Sequence, residues 1–210
     1  MFRFLRATVG SLIRLAFDWK VAGRELLPKG PCVIIANHLN WIDAWALLLL
    51  LPAEPRIHFL ANPANLIRHR FDWWLVRQVG GYIPVDLSQK AGPELFEHVN
   101  ECLRRGGVVA IFPEAAYGPL EGEVQPMKRG FAHFAVDNNV PVLPIALSGT
   151  KDLWLRKRIQ LRVGAPIDPE GKGADAMFEA ASTQLRALVP AYSEPAGRKP
   201  LRGFLTHLLY

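Results

Sequence analysis

A histidine and an aspartate stand five positions apart in the run Asn37-His38-Leu39-Asn40-Trp41-Ile42-Asp43. An imidazole at such a place can take a proton from a hydroxyl near neutral pH. A carboxylate on its second ring nitrogen fixes the tautomer and stabilises the imidazolium as it forms. Five residues turn two side chains about 140° apart on a regular helix, so His38 and Asp43 meet only if a turn or a helix start lies between them. A structural histidine beside a helix start has the same signature, and the pair alone does not choose. A second carboxylate, Glu114, follows Val108-Val109-Ala110-Ile111-Phe112-Pro113. It is expected at a strand end, either on the same rim as His38 or in a plain turn. Other reactive groups are sparse. Cys32 and Cys102 lie outside CxxC spacing and read as core positions. His58, His69, His98, His133 and His207 have no ligand spacing, so no metal site is expected. The absence of Gly-x-Ser-x-Gly disfavours a serine hydrolase.

Elements must carry these residues to one place. Apolar, β-rich runs at 32–36, 57–61, 82–85, 108–112 and 142–147 read as strands, and 159–163 alternates as a half-exposed strand does. Residues 94–105 form the clearest helix, with Leu95, Phe96, Val99, Cys102 and Leu103 on one face, and 174–189 is a second. Pro141 and Pro144 within a strand imply an edge or an interrupted ladder. The run 47–51 reads as a buried helix rather than the end of an acyl tunnel. The pattern predicts an α/β fold, a single domain with a mixed, mostly parallel sheet flanked by helices and with amphipathic terminal helices.

The ends differ from the middle. Phe2, Leu5, Val9, Leu12, Ile13 and Ala16 share a helical stripe about 100° wide, with Arg3 and Arg14 opposite and Arg6 beside it. The expected division is an amphipathic helix at 1–19, the main domain at 20–190 and a linker with a short amphipathic tail at 191–210. In that tail Leu201, Phe204, Leu205, Leu208 and Leu209 lie opposite Arg202 and His207. Both ends suit a membrane interface or ordinary packing on the domain. The chain has 210 residues, half of them apolar, and a net charge of +6. Six basic and two acidic residues fall in 1–29, and seven basic and two acidic in 126–164. Such regions suit an anionic partner. No nucleic-acid motif is present, so a phospholipid or nucleotide-bearing carrier is the expectation. Arginines interrupt the first apolar stretch, and no run reaches about 18 uncharged apolar residues. The two cysteines fit a cytoplasmic-facing location without establishing it, and a peripheral place on the cytoplasmic side of a membrane is the expectation.

The order and spacing of these blocks resemble the lysophosphatidic acid acyltransferase family, the PlsC-like glycerolipid acyltransferases. Its His-x4-Asp motif corresponds to His38 through Asp43 after Asn37. Its second block is similar to Gly80-Gly81-Tyr82-Ile83-Pro84-Val85-Asp86, and its Phe-Pro-Glu-Gly block to Phe112-Pro113-Glu114-Ala115. Lys128-Arg129-Gly130 and Val140-Pro141-Val142-Leu143-Pro144-Ile145 follow in the family's order, and Val21 to Pro28 has its upstream flavour. The resemblance implies transfer of a fatty acyl group from acyl-CoA or acyl carrier protein, as co-substrate and without a cofactor, to a lysolipid hydroxyl. His38 would be the base and Asp43 its orienting carboxylate. Glu114, Ala115, Tyr117, Lys128 and Arg129 would serve the acceptor. Pro141, Val142, Pro144 and Ile145 would bind the acyl donor or shape the site.

The chain departs from that pattern where relatives grip phosphate. Leu87 stands after Val-Asp where an arginine is usual, and Ala115-Ala116-Tyr117 replaces Gly-Thr-Arg. Neither leucine nor alanine offers bidentate donors. Lys128 and Arg129 would have to compensate, or the acceptor carries no phosphomonoester beside its hydroxyl. Trp73-Trp74, among Arg68, Arg70 and Arg77, is the best candidate for an interfacial anchor, ahead of Trp41, Trp45 and Trp154. An acyl-thioester or ester hydrolase and a catalytically silent lipid-binding protein are the competing functions.

Overall fold

Cys32–Ala36 is apolar at every position, so the strand it forms needs cover on both faces. The computed structural model describes residues 2–61, 81–85 and 92–208, without the side chains of Phe2 and Leu5. Its strands are β1 Asp18–Ala22, β2 Cys32–Ala36, β3 Ile57–Ala61, β4 Gly81–Pro84, β5 Val108–Ile111, β6 Val142–Ser148 and β7 Arg158–Val163. They form one seven-stranded sheet in the order β1-β7-β6-β2-β5-β3-β4. β4, β3, β5, β2 and β6 run parallel, β7 runs antiparallel to β6, and β1 pairs parallel with β7. The sheet is mixed and mostly parallel, as the pattern predicted.

Helices cover both faces. The described ones are α1 Phe2–Ala16, α2 Ile42–Leu50, α3 Pro93–Arg104, α4 Gly130–Asp137, α5 Ala174–Leu188 and the short α6 Arg202–Thr206. Alternation along β2 splits the core. Cys32, Ile34 and Ala36 face the layer of α1 and α2, and Val33 and Ile35 face α3, α4 and α5. Leu47 to Leu51 is buried throughout, as expected. β1 and α4 were not anticipated. Asp18-Trp19-Lys20-Val21-Ala22 lacks clean alternation and gains its place from pairing with β7.

Of the two expectations for Pro144, an edge and an interrupted ladder, the second holds. Its strand β6 is no edge, since it lies between β7 and β2. The imide nitrogen is tolerated because the β6–β7 ladder begins at Ile145↔Val163, and the Pro144 carbonyl takes the N–H of Gly164 beyond it at 2.9 Å.

The N-terminal helix also differs from its expected orientation. Val9, Ile13 and Ala16 pack on the core, and Gly10 lets α1 approach Leu49, where a Cβ would stand 2.6 Å from Leu49 Cδ2. Leu12 instead faces out with Phe4 and Leu15. The arginines serve α2. Arg6 donates to Leu51 O and Arg14 to Leu49 O at 3.2 Å, satisfying carbonyls at that helix's C-terminus. Among the tryptophans, Trp41, Trp45 and Trp154 are buried and anchor nothing outside. Trp73, Trp74, Arg68, Arg70, Arg77, His69 and Leu87 lie outside the described residues, as do Gly80, Asp86 and Leu209.

Candidate active site

At the end of β2 the Asn37 side chain continues the sheet. Its Nδ2 donates to Leu147 O at 2.9 Å, and its Oδ1 accepts from Leu147 N at 2.8 Å. The amide thus imitates one more strand residue and locks β2 to β6 just before His38. The chain then turns, and α2 begins at Ile42, which puts Asp43 in its first turn. This is the helix start that the five-residue spacing requires.

His38 Nδ1 and Asp43 Oδ2 are 2.9 Å apart. The same oxygen accepts from Leu39 N at 2.6 Å and Asn40 N at 2.8 Å. Asp43 is wholly buried, and the His38 side chain is 19% exposed. Backbone donors and the helix N-terminus offset the burial of the carboxylate. The imidazole is stacked on Phe112, with ring centroids 3.9 Å apart and planes 11° apart. Tyr117 packs against it edge-on at 4.4 Å. With the ring faces covered and Nδ1 bound to a carboxylate, Nε2 is the nitrogen free to accept a proton from a substrate. Such a group can deprotonate a hydroxyl.

Glu114 lies on the same rim. Its Oε1 accepts from His38 N and its Oε2 from Gln125 N, both at 2.8 Å. Both oxygens therefore brace backbone. Burial raises its pKa above the ordinary carboxylate value, and the two N–H donors oppose that shift. Ala115 has φ +61, the left-handed region that suits glycine. Gly118 N donates to His38 O at 2.7 Å.

The cations are dispersed. Lys128 is tied through its backbone N–H to Pro113 O at 2.9 Å, and its side chain is exposed. Arg129 pairs with Asp175 and lies over the Phe178 ring at 4.9 Å, so it is engaged with α5. Val142, Pro144 and Ile145 are buried strand residues, and Pro141 is half-buried beside them. They lie within and beside β6, whose end is joined to Asn37. Among the described residues no His/Cys/Asp/Glu group could hold a metal ion.

Two supports had no sequence signal. Asn40 Nδ2 donates to Lys151 O at 2.7 Å, and Lys151 Nζ donates to Gly118 O at 2.6 Å. Glu121, half-buried like Glu114, accepts from Gly149 N at 2.7 Å and Lys151 N at 2.9 Å. These contacts join segments distant in sequence, and no local spacing announces them.

A mostly parallel α/β sheet with a carboxylate-braced histidine at its C-terminal rim defines the class of protein. The Acyltransferase family profile matches residues 18–148, and the chain belongs to that family. It is 26% identical over 200 residues to a Bacillus subtilis 1-acyl-sn-glycerol-3-phosphate acyltransferase, covering 90% of this chain and 96% of that protein. It is 31% identical over 169 residues to the Pseudomonas aeruginosa enzyme of the same name, covering 77% of this chain and 63% of the other. The crystal structure of Thermotoga maritima PlsC, a 1-acyl-sn-glycerophosphate acyltransferase, superposes with a TM-score of 0.68 at 22% identity, covering 90% of this chain and 78% of that one. The relatives are O-acyltransferases, and this chain is an acyltransferase of the lysophosphatidic acid acyltransferase family.

Proposed function

We propose that the protein transfers a fatty acyl group from acyl-CoA or acyl carrier protein to the hydroxyl of a lysophospholipid, with His38 as general base. The observation that carries this reading is the 2.9 Å His38–Asp43 contact on an otherwise enclosed imidazole. Nε2 takes the acceptor's hydroxyl proton, and the oxygen attacks the thioester carbonyl. The C–O bond forms, the C–S bond breaks, and the imidazolium returns the proton to the departing thiolate. Asp43 stabilises the imidazolium meanwhile. General-base action of this kind contributes about 10²–10⁴-fold, and alignment of the two substrates supplies further acceleration. No acyl-enzyme is needed, and no cofactor enters. Burial raises the pKa of Cys32 to about 12 and that of Cys102 to about 11, which suits neither to nucleophilic attack.

Glu114 serves the acceptor site by bracing it, and Pro141, Val142, Pro144 and Ile145 shape the site from within β6. Ala115 and Tyr117 line the acceptor side, with Lys128 at its margin. The engagement of Arg129 with Asp175 and the aromatic contact of Tyr117 on His38 favour a lysolipid whose headgroup is not a phosphomonoester. The names of the relatives make lysophosphatidic acid the other arm of the test. The protein works peripherally on the cytoplasmic face of a membrane, where α1 turns Phe4, Leu12 and Leu15 outward toward lipid. No described helix is long and apolar enough to cross a membrane.

Lipid mass spectrometry tests this with either donor, wild type and His38→Ala, and a panel of lysophosphatidic acid and non-phosphomonoester lysolipids. Acylated product that vanishes in the variant is expected. Donor cleavage indifferent to every acceptor would make the protein a hydrolase. No turnover at all would make it a silent lipid binder.

A further inference from the structure

Both chain ends carry exposed apolar side chains, and one turn of the chain links the two ends. Phe4, Leu12 and Leu15 of α1 are 69%, 68% and 71% exposed, and Leu201, Phe204 and Leu208 around α6 are 57%, 64% and 43% exposed. The turn at 154–157 stitches them together. Arg156 N donates to Ala16 O at 2.6 Å, at the end of α1, and Leu155 N donates to Pro200 O at 3.0 Å, just before α6. Leu155 itself is 39% exposed between the two.

The inner side of α6 already accounts for its attachment. Thr206 is buried and exchanges hydrogen bonds with Leu153 N at 2.9 Å and Leu153 O at 3.3 Å. Leu205 packs on the core, and its carbonyl accepts from Trp41 Nε1 at 3.0 Å. Leu201, Phe204 and Leu208 on the outer side are left exposed among the described residues. Leu201 even holds φ +61, a conformation that disfavours a bulky side chain, and turns that side chain outward. Polar residues would serve a solvated outer side at no cost. Arg156 and Arg198 stand exposed next to it in the chain, so the apolar surface has a basic margin.

We infer that the outer side of α6 and the Leu155 turn join α1 in a single lipid-contacting surface, so that the C-terminal turn is a second point of attachment to the bilayer. The link to α1 and the basic margin select an anionic lipid surface as the occupant. The choice of lipid over protein as partner rests on the acyl-transfer reading. Because Trp41 lies two residues before Asp43, this attachment holds the catalytic pair one short helix away from the bilayer.

Co-sedimentation of the full-length protein with 3:1 phosphatidylcholine:phosphatidylglycerol vesicles tests it, with no donor or acceptor present. The pair Phe204→Ser/Leu208→Ser and the pair Leu12→Ser/Leu15→Ser are each expected to lower partitioning by about tenfold. Leu201→Gly, which suits the left-handed backbone, is expected to lower it by a smaller factor. Leu26→Ser, on an exposed residue beyond the other end of β7, is expected to leave it unchanged. Thermal unfolding checks that each variant is folded. The proposal fails if the folded α6 pair and Leu201→Gly both bind vesicles as wild type does. It also fails if wild type is a dimer by ultracentrifugation that the α6 pair dissociates, since the surface would then be a protein contact. Binding is read without turnover, so an inactive protein that still binds would overturn only the acyl-transfer reading.

Discussion

Two dense polar assemblies lie at the same end of the sheet, and only the first is built around a partly exposed imidazole. Around His38, one buried carboxylate collects an imidazole and two backbone N–H groups, and the ring keeps Nε2 at a partly exposed edge. Around Lys157, which is 3% exposed, charges are spent on one another. Its ammonium donates to Asp152 O and lies 4.3 Å from the Trp154 ring centroid and 5.1 Å from that of Tyr192. Arg202 reaches both Asp152 and Glu194, and Lys199 pairs with Glu194. A crowd of ionisable groups is therefore a poor sign of chemistry by itself. The sign is a titratable ring held in orientation by a carboxylate and still partly open to its surroundings.

The sharpest break of this contrast is His38→Ala or Asp43→Asn. Turnover should fall by about 10²–10⁴-fold for the alanine, with an unfolding midpoint close to wild type. Comparable turnover in the folded variant would remove His38 from the mechanism. Glu114→Ala comes next. It leaves two backbone N–H groups without acceptors, each worth about 1–3 kcal/mol if buried. A bracing role predicts a lower kcat with KM little changed, whereas direct acceptor contact would raise KM.

Lys157→Met addresses the second assembly. Burial lowers the Lys157 pKa from 10.5 to about 8. Between those values the unfolded chain binds more protons than the folded one, so this group makes stability rise with pH. The stability difference should move in favour of wild type as pH climbs from 8 to 10.5, and a pH-independent difference in thermal unfolding would refute the assignment. Ala115→Gly should gain up to about 1 kcal/mol by relieving a left-handed alanine, offset in part by the unfolded glycine's entropy. The smallest effect is expected of Cys102→Ala. Its Sγ lies 3.2 Å from His58 Nδ1, yet acyl transfer by direct attack predicts unchanged kcat. A large loss would revive a thiol nucleophile.

The strands were legible because apolar runs of four to seven residues lie between turn residues. α3 was legible from its apolar face, and its observed span differs from expectation by one residue at each end. β1 was not legible, since a half-exposed edge strand owes its form to its neighbour rather than to its own pattern. At Pro144 an edge and an interrupted ladder stayed open for the same reason, because which of its neighbours needs an N–H depends on where β7 ends. At the N-terminus the periodicity correctly gave a helix, but it could not choose which of two apolar stripes faces the domain. That choice fell to Gly10 against Leu49 and to the arginines on the α2 carbonyls.

By itself the sequence determined the family, the α/β layering and the identity of the candidate pair, because each is written in residue types at short spacing. Only the tertiary structure decided that both Glu114 oxygens are committed to backbone, that Arg129 is held by α5, and that Lys151 and Glu121 support the rim. Those assignments depend on which distant segments meet. Hydrogen bonds reach about 3 Å, and sequence separation carries no information at that scale until the sheet has closed.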